Sequence, residues 1–296
     1  MTGLFSQAWR DLQWLVGCPD LVEASPERIL TFRPPPISPP DDQAAYEPLK
    51  RHFESRAENR VGYYVEALVQ MWLSGIPGFS GIEHGIVIKE GKITLGELDF
   101  LFRHEGHLHH LEVALKFFLY RPVTGRESRA ALSQFPGPNA TDNFEKKRDK
   151  LLQRQLPLGR KQFPEIRESH SFVKGMIFFR PGEPRPATLP ERMNPRHLSG
   201  TWIRSNELNG FFDKIRPNSR GIVMKKPFWL SGLQSPGDST PPGLTPGNLY
   251  TAVTEQFRQR DSPVLLSLAK EGDRGWQEEE RVFVVSEDWP GDAPLS

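Results

Sequence analysis

The chain has 296 residues, 37% of them hydrophobic, with a formal net charge of +1 and a single cysteine. That length allows one large domain or two modest ones, and 19 Phe with 7 Trp can furnish a real core. The near-zero charge excludes a global field that steers the protein to nucleic acid, and the lone Cys18 excludes an internal disulfide.

The first twenty residues lack a basic start and a long apolar run, so they do not read as a secretory signal. No stretch approaches the roughly 18 uninterrupted apolar residues that a membrane span needs. These features point to a cytoplasmic protein without a membrane partner. Residues 5–16 read as a short amphipathic helix, and PPPISPP at 34–40 as an extended strap. From Arg60 to Leu73 the stripe Val61, Tyr64, Val65, Leu68, Val69 and Trp72 follows helical spacing. Gly75 and Pro77 end that helix. Glu66 falls at the margin of the buried stripe, not on the solvent side.

Three strands are expected at about 84–89, 93–103 and 108–120, with turns at Glu90-Gly91-Lys92 and Glu105-Gly106. In the second, Gly96, Leu98, Phe100 and Phe102 share one face; Leu95, Glu97, Asp99 and Leu101 share the other. In the third, Leu111, Val113, Leu115, Phe117 and Leu119 oppose Glu112, Ala114 and Lys116. A lone carboxylate in mid-strand among large apolar residues is costly to desolvate. Asp99 and Glu112 therefore call for compensation, and a divalent cation is the simplest source. Glu97 is either a further carboxylate of such a site or a solvated edge residue. Four of the eight histidines, His104, His107, His109 and His110, crowd one hairpin. With no cysteine nearby and alternating directions, they read as turn residues and not as zinc ligands.

A helix is expected over 141–156, with Asn139 or Thr141 as its cap. Its apolar stripe is Phe144, Leu151 and Leu152, and 100° steps put Lys147, Arg148 and Gln155 on the same face. Residues 142–161 carry seven basic side chains against three acidic ones. That is either a footprint for a phosphate backbone or a solvated basic face. SFVKGMIFF, at 171–179, is apolar on both faces, as an interior strand should be. Beyond it come a Pro-rich loop at 181–195, a short helix near 206–215, a strand at 221–230 and a Gly/Pro/Ser-rich loop at 231–249. A helix near 249–260 and a hairpin of 263–269 with 280–286 follow. The absence of a phosphate-binding loop, a dinucleotide fingerprint and a nucleophile elbow argues against ATP-driven or NAD chemistry.

The segments GYYVEALVQMWL, TLGELDFLF, HLEVALKFFLY and GPNATDNFEKKRDKLLQRQLPLG span roughly residues 60–160. Together they resemble the PD-(D/E)XK phosphodiesterase superfamily and, more narrowly, the bacterial domain-of-unknown-function family 1853. The resemblance implies an α/β protein with a mixed sheet and helices on both faces. Its restriction-endonuclease-like αβββαβ core would cover 45–182, after an N-terminal helix and strap at 1–44 and before a C-terminal α/β extension at 183–296. It further implies a metal-dependent nuclease using Mg²⁺ or Mn²⁺. Asp99 and Glu112 would bind the ion, helped by the Val113 carbonyl and by Glu66 through water, and Lys116 would act on the attacking water. Lys147, Arg148, Lys150 and Gln155 would meet the nucleic acid, DNA foremost. One departure stands out: the superfamily places lysine two residues after the glutamate, where this chain has Ala114. Lys116 starts roughly 7 Å further along the strand at about 3.3 Å per residue, though on the same face. The alternative is therefore a nuclease-fold protein without turnover, acting as a nucleic-acid-binding or protein-interaction module.

Overall fold

The structure, a computed structural model, describes residues 2–23, 29–32, 46–55, 59–122, 134–234, 242–260, 262–273 and 275–291. The expected strap at 34–40 lies outside these residues, as do positions 235–241 of the expected loop. The architecture is mixed α/β. The chain divides into two compact units that it enters repeatedly. Unit 1 is Met1–Lys116, Lys146–Gly175 and Pro190–His197; unit 2 is Phe117–Glu145, Met176–Leu189 and Leu198–Ser296.

Unit 1 begins with α1 (Thr2–Gly17), β1 (Ile29–Thr31), α2 (Glu47–Glu54) and α3 (Val61–Ser74). Strands β2 (Phe79–Glu90), β3 (Ile93–His104), β4 (His107–Leu119) and β5 (Ile166–Phe179) are neighbours in that order, and β1 pairs with β5 in parallel. The apolar stripe of α3 buries Tyr64, Val65, Leu68, Val69 and Trp72 as its spacing requires. Trp72 packs against Phe32 and Phe172 at ring separations of 5.6 and 5.5 Å. The Tyr64 hydroxyl donates to Asp11 Oδ2 at 2.8 Å, so the polar tip of this aromatic is satisfied inside the core.

The β3–β4 ladder runs from His104↔His107 to Phe100↔Leu111 and stops there, one residue short of Asp99. Beyond that point the Val113 N–H donates to the Asp99 carboxylate at 2.8 Å. A side chain thus replaces the missing backbone acceptor and holds the acid where the strands part.

Between β4 and β5 the expected α-helix is three pieces: α4 (Phe144–Asp149), a π turn (Lys150–Gln155) and α5 (Leu156–Gln162). The Leu156 N–H reaches back five residues to the Leu151 carbonyl, and Pro157, which has no N–H to give, opens α5. A 100° step therefore does not hold through this segment.

Unit 2 contains β6 (Leu198–Arg204), α6 (Leu208–Phe212), β7 (Arg220–Met224), α7 (Pro246–Gln259), β8 (Val264–Gly272) and β9 (Gly275–Val285). The end of β5 is followed across the sheet by β6, β9, β8 and β7. β6 is parallel to β5 and to β9, and the remaining pairs are antiparallel. β6, with Gly200 inside it, lies between the expected loop at 181–195 and the expected helix near 206–215, where no element was expected. The expected strand at 221–230 stops at Met224, because Lys225-Lys226-Pro227 turns the chain away from the ladder. Thr245 caps α7, accepting from the Asn248 N–H at 3.4 Å. No helix among the described residues is long and apolar enough to cross a membrane.

Candidate functional site

The parting of β3 and β4 brings Asp99 and Glu112 together inside unit 1. The two are close enough for the charge of Glu112 to act on Asp99. The Glu112 side chain is 0% exposed, and both of its oxygens are engaged. His110 Nε2 lies 2.9 Å from Oε1, and Gln155 Nε2, carried by the π turn, donates to Oε2.

The electrostatics follow from burial. Desolvation, then the charge of Glu112, push the Asp99 carboxyl up to about 8, against the pull of the Val113 N–H. Desolvation lifts Glu112 to about 7, with Lys147 the largest opposing influence. Burial drives the Lys147 ammonium down, while Asp99 and Glu112 draw it back up. Burial thus favours the neutral form of all three groups. Burial also pushes His110 down to about 4, so its ring is neutral. A neutral ring donating from Nε2 to Glu112 leaves Nδ1 without a hydrogen-bond partner among the described residues. That Nδ1 lies against Gly159 of α5, where a Cβ would come within 2.4 Å of it. Glycine there lets the helix close over the imidazole.

The other expected residues divide. Lys116 is half-buried, and its charge is felt by Lys147. Its carbonyl packs on Gly175 of β5, whose φ of +139° and missing Cβ permit the approach. Glu66 bonds His84 Nε2 at 3.0 Å and its charge still reaches Asp99. It lines a cleft of about 690 Å³ together with Arg51, Arg60, Tyr63 and Gln70. Lys150 is exposed and its charge acts on Glu112. Arg148 turns elsewhere: it pairs with Asp149 at 2.8 Å and donates to the Glu191 carbonyl at 3.2 Å. Glu97 is exposed on β3, paired across the ladder with Val87 of β2.

Two site features escaped the sequence reading. His109 and His110 are not turn residues: they are 6% and 0% exposed, because β4 starts at His107 and carries both into the sheet. The available signal for His110 was its position two residues before Glu112, on the same face of one strand. Helical spacing put Lys147 on the inward face of its helix, and only the family resemblance tied it to the acids.

The arrangement can hold either a proton or a cation between two acids, with a lysine alongside. Comparison with curated proteins gave no match, and neither did comparison with solved structures. The family described as a domain of unknown function, DUF1853, matches residues 10–285, and the chain belongs to that family.

Proposed function

We propose that this protein is a metal-dependent phosphodiesterase that cuts nucleic acid, DNA foremost, with a restriction-endonuclease-like core. The observation that carries this reading is the carboxylate pair where β3 and β4 part, Glu112 fully buried and Asp99 half-buried beside it, with the charge of Lys147 acting on both. Two desolvated acids this close resist ionising together. An oxygen-loving divalent cation would offset both charges, so the donor set fits Mg²⁺ or Mn²⁺. Asp99 and Glu112 would hold the ion, with the Val113 carbonyl and Glu66 as further oxygens. When bound, such an ion supplies an activated water and offsets charge on the phosphate.

The remaining work falls to the chain. His110 and Gln155 fix the Glu112 carboxylate, as partners behind a ligand do. Lys147 takes over the position emptied by Ala114, stabilising the phosphate oxygens, and Lys116 assists from the strand. The exposed Lys146, Lys150, Arg154 and Lys161 track the backbone.

A second reading, a binding module without turnover, is favoured by Ala114 and by the engagement of both Glu112 oxygens within the protein. Cleavage decides between them. Tag-free protein with millimolar Mg²⁺ or Mn²⁺ should cut single- or double-stranded DNA. Lys147→Ala should lower the rate roughly 10²–10³-fold, the effect of removing one charge-stabilising donor. Metal and DNA that both bind without any product would establish the module.

A further inference from the structure

On the opposite side of β4 from Glu112, three metal-ligating side chains meet in a second place. His109 of β4 and Glu168 and His170 of β5 converge inside unit 1. His109 Nδ1 is 3.1 Å from His170 Nε2, and each nitrogen is 3.7 Å from Glu168 Oε2. The circle through three atoms at those separations has a radius of about 2.0 Å, which is the length of a zinc bond to nitrogen or carboxylate oxygen. From these atoms we infer that His109, Glu168 and His170 form a site for one Zn²⁺-class transition ion, with a position left open to solvent.

The surroundings support a site over a chance encounter. The His109 and His170 side chains are 8% and 10% exposed, whereas Glu168 is 39% exposed, so the cluster is walled on one side and reachable on the other. Phe102 lies near-parallel to the His109 ring at 5.3 Å, and Phe32 meets His170 edge-on at 5.6 Å. These rings fix both imidazoles in place. Without an ion, two ring nitrogens face each other and share one proton.

The donor set also separates this site from the acidic one. Two imidazoles and a carboxylate suit zinc, copper, nickel or iron(II), whereas carboxylates with carbonyl and water suit magnesium or manganese. The inference does not depend on nuclease activity, since it uses none of Asp99, Glu112 or Lys147.

The test is calorimetric titration of Zn²⁺ into tag-free, chelator-treated protein, with Co²⁺ absorption as a second readout. Wild type should take up one equivalent and give the intense visible bands of a low-coordinate Co²⁺ site. His170→Ala and Glu168→Gln should weaken binding at least about 10–100-fold, the loss that follows when even a ligand's outer partner is removed. Asp99→Asn with Glu112→Gln should leave it unchanged. Glu168→Gln guards against misfolding of the histidine variant, because Glu168 is half-exposed and its loss opens no core cavity. Undiminished Zn²⁺ uptake in Glu168→Gln and His170→Ala would overturn the assignment, and so would no uptake by wild type.

Discussion

Asp99 and Glu112 show what a single buried charge does to stability. Their folded pKa values, about 8 and about 7, lie far above the 3.8 and 4.5 of exposed acids. The native state therefore binds more protons than the unfolded chain between those limits. Stability from this pair is full at low pH and is lost as pH rises through about 7–8. The buried histidines His110 and His170 act in the opposite sense, but their folded values of about 4 confine them to pH below neutrality. Between pH 7 and 9 only the acids matter among these four. The acids should lower the melting temperature of metal-free wild type from pH 7 to pH 9, against the opposite contribution of Lys147, whose ammonium burial disfavours. Asp99→Asn, which can keep the bond from the Val113 N–H, should melt higher than wild type at pH 9 and show a flatter profile. A parallel pH profile in the variant, read by scanning calorimetry, would remove Asp99 as the cause. These two carboxylates could be found in the sequence because period-two alternation exposes an acid among apolar neighbours. His110 was overlooked because, although inside the expected strand at 108–120, it was grouped with the histidines of the adjacent turn.

At the level of elements, the π turn between α4 and α5 is where sequence and structure part. Helical periodicity gave Phe144 and Leu151 to the core and turned Lys147 inward, where its charge acts on Asp99 and Glu112. It also gave Arg148 to the site, and the structure does not. Hydrogen bonds that skip five residues change the angular step, and no residue pattern announces that change. Gly159, just beyond the turn, makes the segment's purpose testable. Gly159→Ala would drive a methyl into the His110 ring, with 2.4 Å to Nδ1. Overpacking of this kind costs about 1–3 kcal/mol, so the urea midpoint should fall. The His110–Glu112 contact should loosen with it, lowering metal affinity further than stability alone explains. Unchanged affinity for Mg²⁺ in Gly159→Ala would detach the helix from the site. Elements with strong alternation or helical spacing, α3 and β3 above all, were legible. β6 and the short β1 were not, since their strand character comes from pairing with β5, and local sequence does not contain that.

For the whole molecule, net charge sets the terms of any encounter with DNA. At +1 overall, attraction must come from the exposed bases of residues 146–161 in unit 1. Affinity should then fall with salt at a slope near −0.9 per phosphate contact, and Lys150→Ala with Arg154→Ala should flatten it by about one to two. Fluorescence anisotropy across a salt series measures this directly, and a slope untouched by both substitutions would place the DNA elsewhere. The organisation into two interleaved units was beyond the sequence, because chain order does not record that β4 and β5 pass from one into the other.

The central claim, that Asp99 and Glu112 form a divalent-cation site, is met most directly by Mg²⁺ itself. Mg²⁺ suits oxygen donors and so discriminates against the histidine cluster. Thermal unfolding of tag-free protein should be followed at pH 8 with increasing Mg²⁺, for wild type, Asp99→Asn and Glu112→Gln. Ligation stabilises by mass action, about 2.7 kcal/mol at a hundred times the dissociation constant. Wild type should shift upward in melting temperature with Mg²⁺, and neither variant should move. Equal shifts in all three proteins, or none in wild type, would contradict the account.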